Sequence, residues 1–266
     1  MNSNAADSFI ERLTWDEVGR RLAQGAAAVL PIGAASKEHG FHLPMNTDRV
    51  QAESLAARIA DRVDALIWPT VTYGHYPAFV DYAGSISLSA SVFESVIQEI
   101  AAGIIGFGCR ALVVLDTGIS TLAPVDRALA RLASPNVLHL GIHDGPRYRC
   151  AAAELARQSH GSHADELETS LMLALAPHLV EMTRAEASPV LQQEAPGALT
   201  SEDTASPNYS RSGSFGDPTL ASYAKGEILL AAMVDDLIAT VEMFFAGNAT
   251  GSVEPSMIRQ HRQGSP

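Results

Sequence analysis

A dense group of polar residues lies in the first fifth of the sequence. The segment KEHGFHLP begins at Lys37, and an aspartate follows four residues after its end. Its possible metal ligands are Glu38, His39, His42 and Asp48. Carboxylate oxygens and imidazole nitrogens are the donors that proteins use for divalent cations. Histidines that only hydrogen-bond a loop backbone are the simpler alternative, but four such side chains within eleven residues favour a metal site.

A second polar group runs from His163 to Glu168 and includes Asp165 and Glu166. If a helix begins at Ala164, His163 and Glu166 are neighbours on one face, because residues three apart lie side by side on a helix. Glu168 then projects elsewhere. Acidic residues in a first helical turn also stabilise the helix through its dipole. Taken alone, this group is better explained by helix stabilisation than by catalysis.

A third candidate is the segment DTGIST, which begins at Asp116 and follows an apolar run. Its backbone N–H groups could bind an anion, or it could be an ordinary turn into a helix. The sequence has no G-x-S-x-G, GxGxxG or P-loop motif, so nothing in it indicates a nucleophilic serine of that type or a nucleotide site. Further along, Lys225 is expected on a helix surface.

Short apolar runs alternate with amphipathic stretches and must position these side chains. Continuously apolar runs of this kind suit strands that are buried on both faces of a parallel sheet. The predicted strands are residues 27–33, 65–70, 111–116 and 137–142. The predicted helices are residues 15–23, 48–63, 91–107, 123–132, 164–175 and 219–245. The alternation predicts a three-layer α/β/α sandwich with a mainly parallel central sheet.

Three further segments complete the predicted organisation. The alternating run SISLS at 85–89 is expected to be an additional edge strand. Residues 188–218 are rich in Ser, Pro, Gly and acidic residues and are expected to form a long loop, a kind of segment that is often functional. Residues 1–246 are expected to form one domain, and the polar stretch 247–266 a flexible tail.

The composition limits the possible partners. The 266 residues carry 18 basic and 30 acidic side chains, a formal net charge of −12, which argues against nucleic acid as a partner. No apolar run approaches the roughly 20 residues of a membrane span, so no membrane association is expected. Two cysteines make no disulfide framework, and the N-terminus does not resemble a secretory signal, so we predict a cytoplasmic protein.

Four ordered segments resemble the creatininase (creatinine amidohydrolase) family. They are LPIGAASKEHGFHLPMNTDRVQAE, YGHYPAFVDYAGSISLS, GSHADELETSLMLAL and SGSFGDPTLASYAKGE, which together span most of residues 30–227. The first is similar to the family pattern PvGs-EQHG-HLP-TD, and the third to HAGe-ETS-mLa. The resemblance implies a three-layer α/β/α fold, a homohexamer, and a site for one or two divalent ions such as zinc, manganese or iron. Family members hydrolyse a C–N bond in small cyclic amides, amidines or formamides.

The resemblance also assigns residues to roles. His39 and Asp48 fall on metal-ligand positions, with Asp48 as the carboxylate that bridges two ions where two are present. The glutamate of the ETS segment falls on Glu168, which completes the metal-binding set.

The sequence departs from the family pattern at two places. The glutamate that the family has two residues before the ligand histidine is replaced by Lys37, and we expect a bulge in the longer loop to return Glu38 to the metal. At the end of the third predicted strand, Gly118 stands where the family has a histidine ligand, and Ser120 where some members have an acid. We therefore expect at most one tightly held ion, unless His75, His143 or His163 supplies the missing ligand.

The leading hypothesis is metal-dependent hydrolysis of a small-molecule amide. The expected metal ligands are Glu38, His39, Asp48 and Glu168. We expect His163 or Glu166 to transfer protons, and His42 to fix the ligand loop by a hydrogen bond. The expected substrate-binding residues are His75, Tyr76 and Phe79. For His75, a hydrogen bond to a loop backbone is an equal alternative. Two other functions stay open: a binding or assembly protein that has lost catalysis, and a metal-dependent lactonase or lyase acting on a small carbonyl compound.

Overall fold

The computed structural model of the protein describes residues 8–188 and 198–250. In this part of the chain, one sheet contains the strands β1 (Ala27–Ile32), β2 (Ala65–Ile67), β3 (Leu112–Asp116) and β4 (Val137–Gly141). The strands lie in the order β2-β1-β3-β4, and every pair is parallel. All four carboxyl ends therefore lie along the same edge of the sheet, where open α/β folds place their ligands.

Seven α-helices surround this sheet in the described ranges. They are α1 (Trp15–Ala23), α2 (Thr47–Ala60), α3 (Ala90–Gly106), α4 (Leu122–Ala130), α5 (Pro146–Leu155), α6 (Glu166–Leu175) and α7 (Tyr223–Thr250). Six of them correspond to predicted helices. Helix α5 was not predicted, although Pro146 at its first turn is a recognised helix-start signal.

The sheet is covered on both faces, which confirms the three-layer α/β/α architecture. Val29 of β1 packs with Leu55 of α2 and Leu229 of α7 on one face. Its neighbour Leu30 packs with Phe93 of α3 on the other face. Successive side chains of a strand point to opposite faces, so both layers demand apolar residues. This is why the strands read as continuous apolar runs.

One predicted strand is absent and one predicted helix begins two residues later than expected, in each case for local reasons. Residues 85–89 are not a strand, because their backbone N–H groups bond to loops: Ile86 donates to the Ser36 carbonyl at 3.0 Å and Leu88 to the Gly74 carbonyl at 2.8 Å. Helix α6 begins at Glu166 instead of residue 164. Ala164 has a positive φ of 45°, and the Asp165 side chain caps the helix by accepting hydrogen bonds from the backbone of its first turn.

The C-terminal segments follow the prediction only in part. Helix α7 continues to Thr250, beyond the predicted end at residue 245 and into the predicted tail. Residues 251–266 lie outside the described residues, as do residues 189–197 of the predicted long loop. Residues 198–217 contain no helix or strand longer than an isolated bridge. None of the helices in the described ranges has the length and apolarity of a membrane span.

Candidate metal centre

The loop that follows β1 brings His39 into the interior, where only 1% of the residue is exposed. Its Nδ1 lies 3.0 Å from the Lys37 backbone oxygen, so Nδ1 carries the proton and donates it. Its Nε2 lies 3.0 Å from Asp48 Oδ1 and 3.8 Å from Glu168 Oε1. An imidazole with one nitrogen tied to a carbonyl and the other facing carboxylates has the arrangement of a metal ligand.

His163 approaches the same place from the segment before α6. Its Nε2 lies 2.8 Å from Glu38 Oε1, which accepts the ring proton. Its Nδ1 is left facing Glu168 Oε2 at 3.8 Å. The left-handed conformation of Ala164 separates this histidine from the helix that carries Glu168. Each of the two imidazoles therefore has one nitrogen that faces Glu168.

Glu168 is held between them by two donors. The Gln51 side chain donates to Oε1 at 3.1 Å, and the Ala164 backbone N–H donates to Oε2 at 2.7 Å. One ligand atom each from His39, His163 and Glu168 lie within 4.8 Å of one another. Two nitrogens and one carboxylate oxygen at this spacing match the donors of zinc or manganese sites. The residues present therefore fit a divalent ion.

Glu38 lies beside this group instead of within it. One carboxylate oxygen accepts from His163, and the other accepts from the Gly40 backbone N–H at 2.9 Å. Gly213 has a φ of +92°, and a Cβ there would lie 2.5 Å from Glu38 Cδ, so only glycine lets residues 198–217 pack this closely on Glu38. We predicted Glu38 as a ligand and His163 as a proton-transfer group; in the structure His163 lies in the group of possible ligand atoms with His39 and Glu168, and Glu38 contacts the other nitrogen of His163.

Lys37 is a buried cation on the other side of Asp48. Its Nζ lies 2.7 Å from Asp48 Oδ2, and the residue is 6% exposed. The rings of Phe79 and Tyr76 cover the ammonium, with centroids at 4.9 Å and 5.5 Å. Burial disfavours the ammonium, but the carboxylates of Asp48 and Glu168 outweigh burial and raise the pKa of Lys37. Lys37 is therefore charged.

The carboxylates of the cluster are ionised. Burial opposes ionisation, but His163 lowers the pKa of Glu38, and Lys37 with His39 lowers the pKa of Asp48 well below its usual range. Burial likewise disfavours the charged form of Glu168, and the pKa of Glu168 is lowered chiefly by His39 and His163. The pKa of His163 is raised: burial lowers it, but the Glu38 carboxylate favours the charged imidazolium and outweighs burial. The cluster therefore concentrates negative charge that can attract a cation.

His42 lies behind the ligand residues. Its Nε2 is 2.7 Å from Thr169 Oγ1, so it links the loop after β1 to helix α6, next to Glu168. Burial lowers the pKa of His42 to about 4, so the ring is neutral at pH 7. This is the kind of hydrogen bond that we expected for His42.

The three predicted substrate residues separate into two kinds. The Phe79 ring lies 4.3 Å from the His163 ring, and Tyr76 lies buried over Lys37. His75 instead bonds the Leu88 backbone oxygen through Nδ1 at 2.9 Å, which is the loop contact that we gave as its alternative. Tyr76 and Phe79 are thus the aromatic residues at the site.

Glu166, the other residue that we predicted to transfer protons, is engaged elsewhere. One oxygen accepts from the backbone N–H groups of Arg157 and Gln158 at 2.7 Å each, and the other pairs with Lys225. Both of its oxygens are occupied by contacts that fix the start of α6. We had expected Lys225 on a helix surface, but it is half-buried and forms an ion pair with the buried Glu166.

The strand-end segment after β3 also bonds internally. The Gly118 backbone N–H donates to Asp116 Oδ1 at 2.9 Å, and Thr121 Oγ1 donates to the same oxygen at 2.7 Å. Ser120 Oγ donates to the His75 backbone oxygen at 2.7 Å. These contacts form a turn into α4 and favour that interpretation over an anion site.

Comparison with known proteins shows which ones this chain is similar to. The creatininase family profile, described as creatinine amidohydrolase, matches residues 11–241. Creatinine amidohydrolase from Pseudomonas putida is 28% identical, with 74% of this chain and 88% of that protein covered. Mycofactocin precursor peptide peptidase from Mycobacterium tuberculosis is 27% identical, with 80% of this chain and 83% of that protein covered.

Solved structures show the same similarity. A manganese form of creatininase superposes with a TM-score of 0.78 at 26% identity and covers 90% of this chain and 98% of its own. A mutant creatininase described as of Zn-Zn type superposes with a TM-score of 0.76 at 26% identity, with the same coverage. Those two proteins carry manganese or zinc according to their descriptions.

Proposed function

This chain belongs to the creatininase family of hydrolases, and we propose that it hydrolyses a C–N bond of a small amide, cyclic amide, amidine or formamide with the help of a divalent ion. The observation that carries the proposal is the convergence of His39, His163 and Glu168 ligand atoms within 4.8 Å in a buried cluster. The relatives act on creatinine or on a precursor peptide by their descriptions, and both substrates contain C–N bonds of the amide or amidine type.

We assign His39, His163, Glu168 and the Oδ1 atom of Asp48 to holding the ion, which is zinc, manganese or iron. A bound ion of this kind supplies Lewis acidity and lowers the pKa of water toward neutrality. The Lys37 carbonyl holds the proton on His39 Nδ1, and Glu38 holds the proton on His163 Nε2. Both rings are thereby fixed in the tautomer that directs a lone pair to the ion.

The remaining residues shape the site. Phe79 and Tyr76 form an apolar wall that excludes water and lies next to the proposed ligands. The hydrogen bond of His42 to Thr169 connects the ligand loop to α6 and so keeps Glu168 next to His39. The contacts that replace the family histidine and acid at Gly118 and Ser120 leave the ion with the ligands described above.

The test is metal content together with hydrolysis. We expect the purified protein to bind a divalent ion and to hydrolyse a member of a panel of cyclic amides, imides, N-formyl compounds and short peptides. His39→Ala should lose the ion and lower kcat/KM at least a hundredfold. His178→Ala removes an exposed histidine and is the matched control: it should change neither the metal content nor kcat/KM. Metal-free protein that still binds a small ligand would favour the non-catalytic alternative, and activity on lactones alone would favour a lactonase.

We further propose that the chain assembles into a homohexamer and acts in the cytoplasm. The support for the hexamer is the resemblance to the creatininase family, and Trp15, Phe107 and Ile119 are exposed apolar side chains that subunit contacts could cover. Cys109 and Cys150 are both free thiols, as expected in a reducing compartment. Light scattering after gel filtration should give six times the chain mass; a monomeric mass would contradict the assembly.

A further inference from the structure

Lys37 is the unusual member of the site. The sequence contains two lysines, Lys37 and Lys225, so a buried lysine next to proposed metal ligands is not the product of a lysine-rich composition. Its ammonium lies 2.7 Å from Asp48 Oδ2, and aromatic rings cover it. An ammonium is unexpected in a cluster that is proposed to bind a divalent cation, because like charges repel strongly when they are buried.

We propose that the Lys37 ammonium takes the place of a second metal ion, so that each subunit holds a single divalent ion. This inference rests on the proposed function and adds to it the number of ions and the residue that sets that number. Asp48 then bridges a metal ion and an ammonium instead of two metal ions.

The geometry of Asp48 carries the first step. Its two oxygens face different partners: Oδ1 lies 3.0 Å from His39 Nε2, on the side of the proposed ion, whereas Oδ2 lies 2.7 Å from the Lys37 ammonium. The ring faces that cover Lys37 have no lone pair to offer a divalent ion, but they do stabilise an ammonium. The surroundings of Asp48 Oδ2 therefore favour an ammonium over a divalent ion.

Charge gives the second step. The cluster contains the three carboxylates of Glu38, Asp48 and Glu168 and one ammonium, a formal charge of −3 + 1 = −2 when both imidazoles take the neutral form that metal binding requires. One divalent ion brings this sum to zero. A second ion would leave a charge of +2 in a buried site, which is strongly unfavourable.

The strand-end segment after β3 gives the third step. Gly118 has no side chain, and its N–H group donates to Asp116. The Ser120 hydroxyl donates to the His75 backbone oxygen. Neither residue offers an imidazole or a carboxylate to a second ion, whereas the mutant creatininase is described as of Zn-Zn type. The absence of the family ligands that Gly118 and Ser120 replace and the ammonium that Lys37 adds therefore both disfavour a second ion.

The number of bound ions is the direct test. Apo-protein is titrated with Mn²⁺, bound manganese is measured by elemental analysis, and the electron paramagnetic resonance spectrum is recorded. We expect one ion per chain and the six-line spectrum of an isolated Mn²⁺. Two ions with the broadened spectrum of a coupled pair would overturn the role of Lys37 while leaving metal-dependent hydrolysis intact. No bound ion would overturn the proposed function as well.

Variants test the charge itself. Lys37→Met removes the ammonium and leaves an unbranched side chain that is one heavy atom shorter, so we expect the Kd for Mn²⁺ to fall at least tenfold. Arg20→Met removes an exposed cation that pairs with Asp16 on α1, far from the cluster in sequence, and should change this Kd less than twofold. An unchanged or weaker affinity in folded Lys37→Met would overturn the proposal. If either variant fails to fold, as judged by circular dichroism, the stoichiometry and spectrum of the unmodified chain still decide.

Discussion

At the scale of single residues, the site is organised by the outer nitrogen of each imidazole. His39 donates to a backbone carbonyl and His163 to the Glu38 carboxylate. These two hydrogen bonds determine which nitrogens face Glu168. The residues that orient ligands therefore matter as much as the ligands themselves.

Glu38→Gln tests this arrangement. The amide has nearly the same size, but it removes the negative charge that raises the pKa of His163 and orients its ring. We expect affinity for Zn²⁺ to fall about 10–100-fold, the usual cost of losing such a partner, as measured by competition with a chromophoric chelator. Glu53→Gln, which changes a glutamate that pairs with Arg49 on α2, is the control and should bind Zn²⁺ normally. A change below threefold in Glu38→Gln would contradict the orienting role.

Sequence reasoning identified most residues of the cluster but not their contacts. His39, Asp48 and Glu168 could be predicted because their types and motifs indicate ligands. That His163, and not Glu38, lies close to Glu168 depends on the left-handed turn at Ala164, a conformation that alanine rarely adopts. Lys37 was recognised only as a departure from the family pattern. Its pairing with Asp48 depends on how α2 packs against the loop, which residue types alone do not specify.

At the scale of elements, helix α6 positions Glu168 and Thr169, and the close packing of α7 fixes α6. Gly226 of α7 lies directly against the backbone of α6: a Cβ at this position would lie 2.7 Å from the Ser170 carbonyl carbon and 3.0 Å from Ala174 Cβ. Contacts below 3 Å are forbidden for a Cβ, so glycine is required where the two helices cross.

Gly226→Ala should therefore destabilise the protein. Forcing a methyl group into a closely packed helix crossing costs about 1–3 kcal/mol, and chemical denaturation measures this loss in the free energy of unfolding. Gly103→Ala on α3 is a matched control, since no atom lies within 4 Å of its added Cβ. That substitution should stabilise the protein by about 0.5–1 kcal/mol through helix propensity. Equal effects of the two substitutions would rule out the packing argument.

The elements that sequence analysis predicted correctly are those with a strong apolar signal. Apart from Asp116 at the end of β3 and His139 in β4, the four strands consist of apolar residues and glycine, because helices cover both faces of the sheet, as seen for Val29 and Leu30. The segment at 85–89 has the alternation of a strand but bonds to loops at Ser36 and Gly74, so its periodicity was misleading. Alternation of side chains does not specify which backbone groups are available for pairing, and this is why the edge-strand prediction was wrong.

At the scale of the whole molecule, the proposed ion joins distant parts of the chain. His39 follows the first strand, and His163 and Glu168 lie more than a hundred residues further along, at the start of α6. The ion therefore closes a long loop between two layers of the sandwich. The cluster also carries excess negative charge, which repels itself when no cation is bound.

Binding of the ion should consequently stabilise the entire fold. A ligand that binds only the folded state stabilises it by about 2.7 kcal/mol at a concentration of 100 Kd. For a chain of this size, we expect Zn²⁺ to raise the melting temperature of apo-protein by roughly 5–10 °C, as followed by circular dichroism, and a chelator to reverse the shift. In His39→Ala the shift should disappear, whereas in His178→Ala it should persist, because the latter histidine is exposed. A stabilisation that survives in His39→Ala would show that Zn²⁺ binds elsewhere on the molecule.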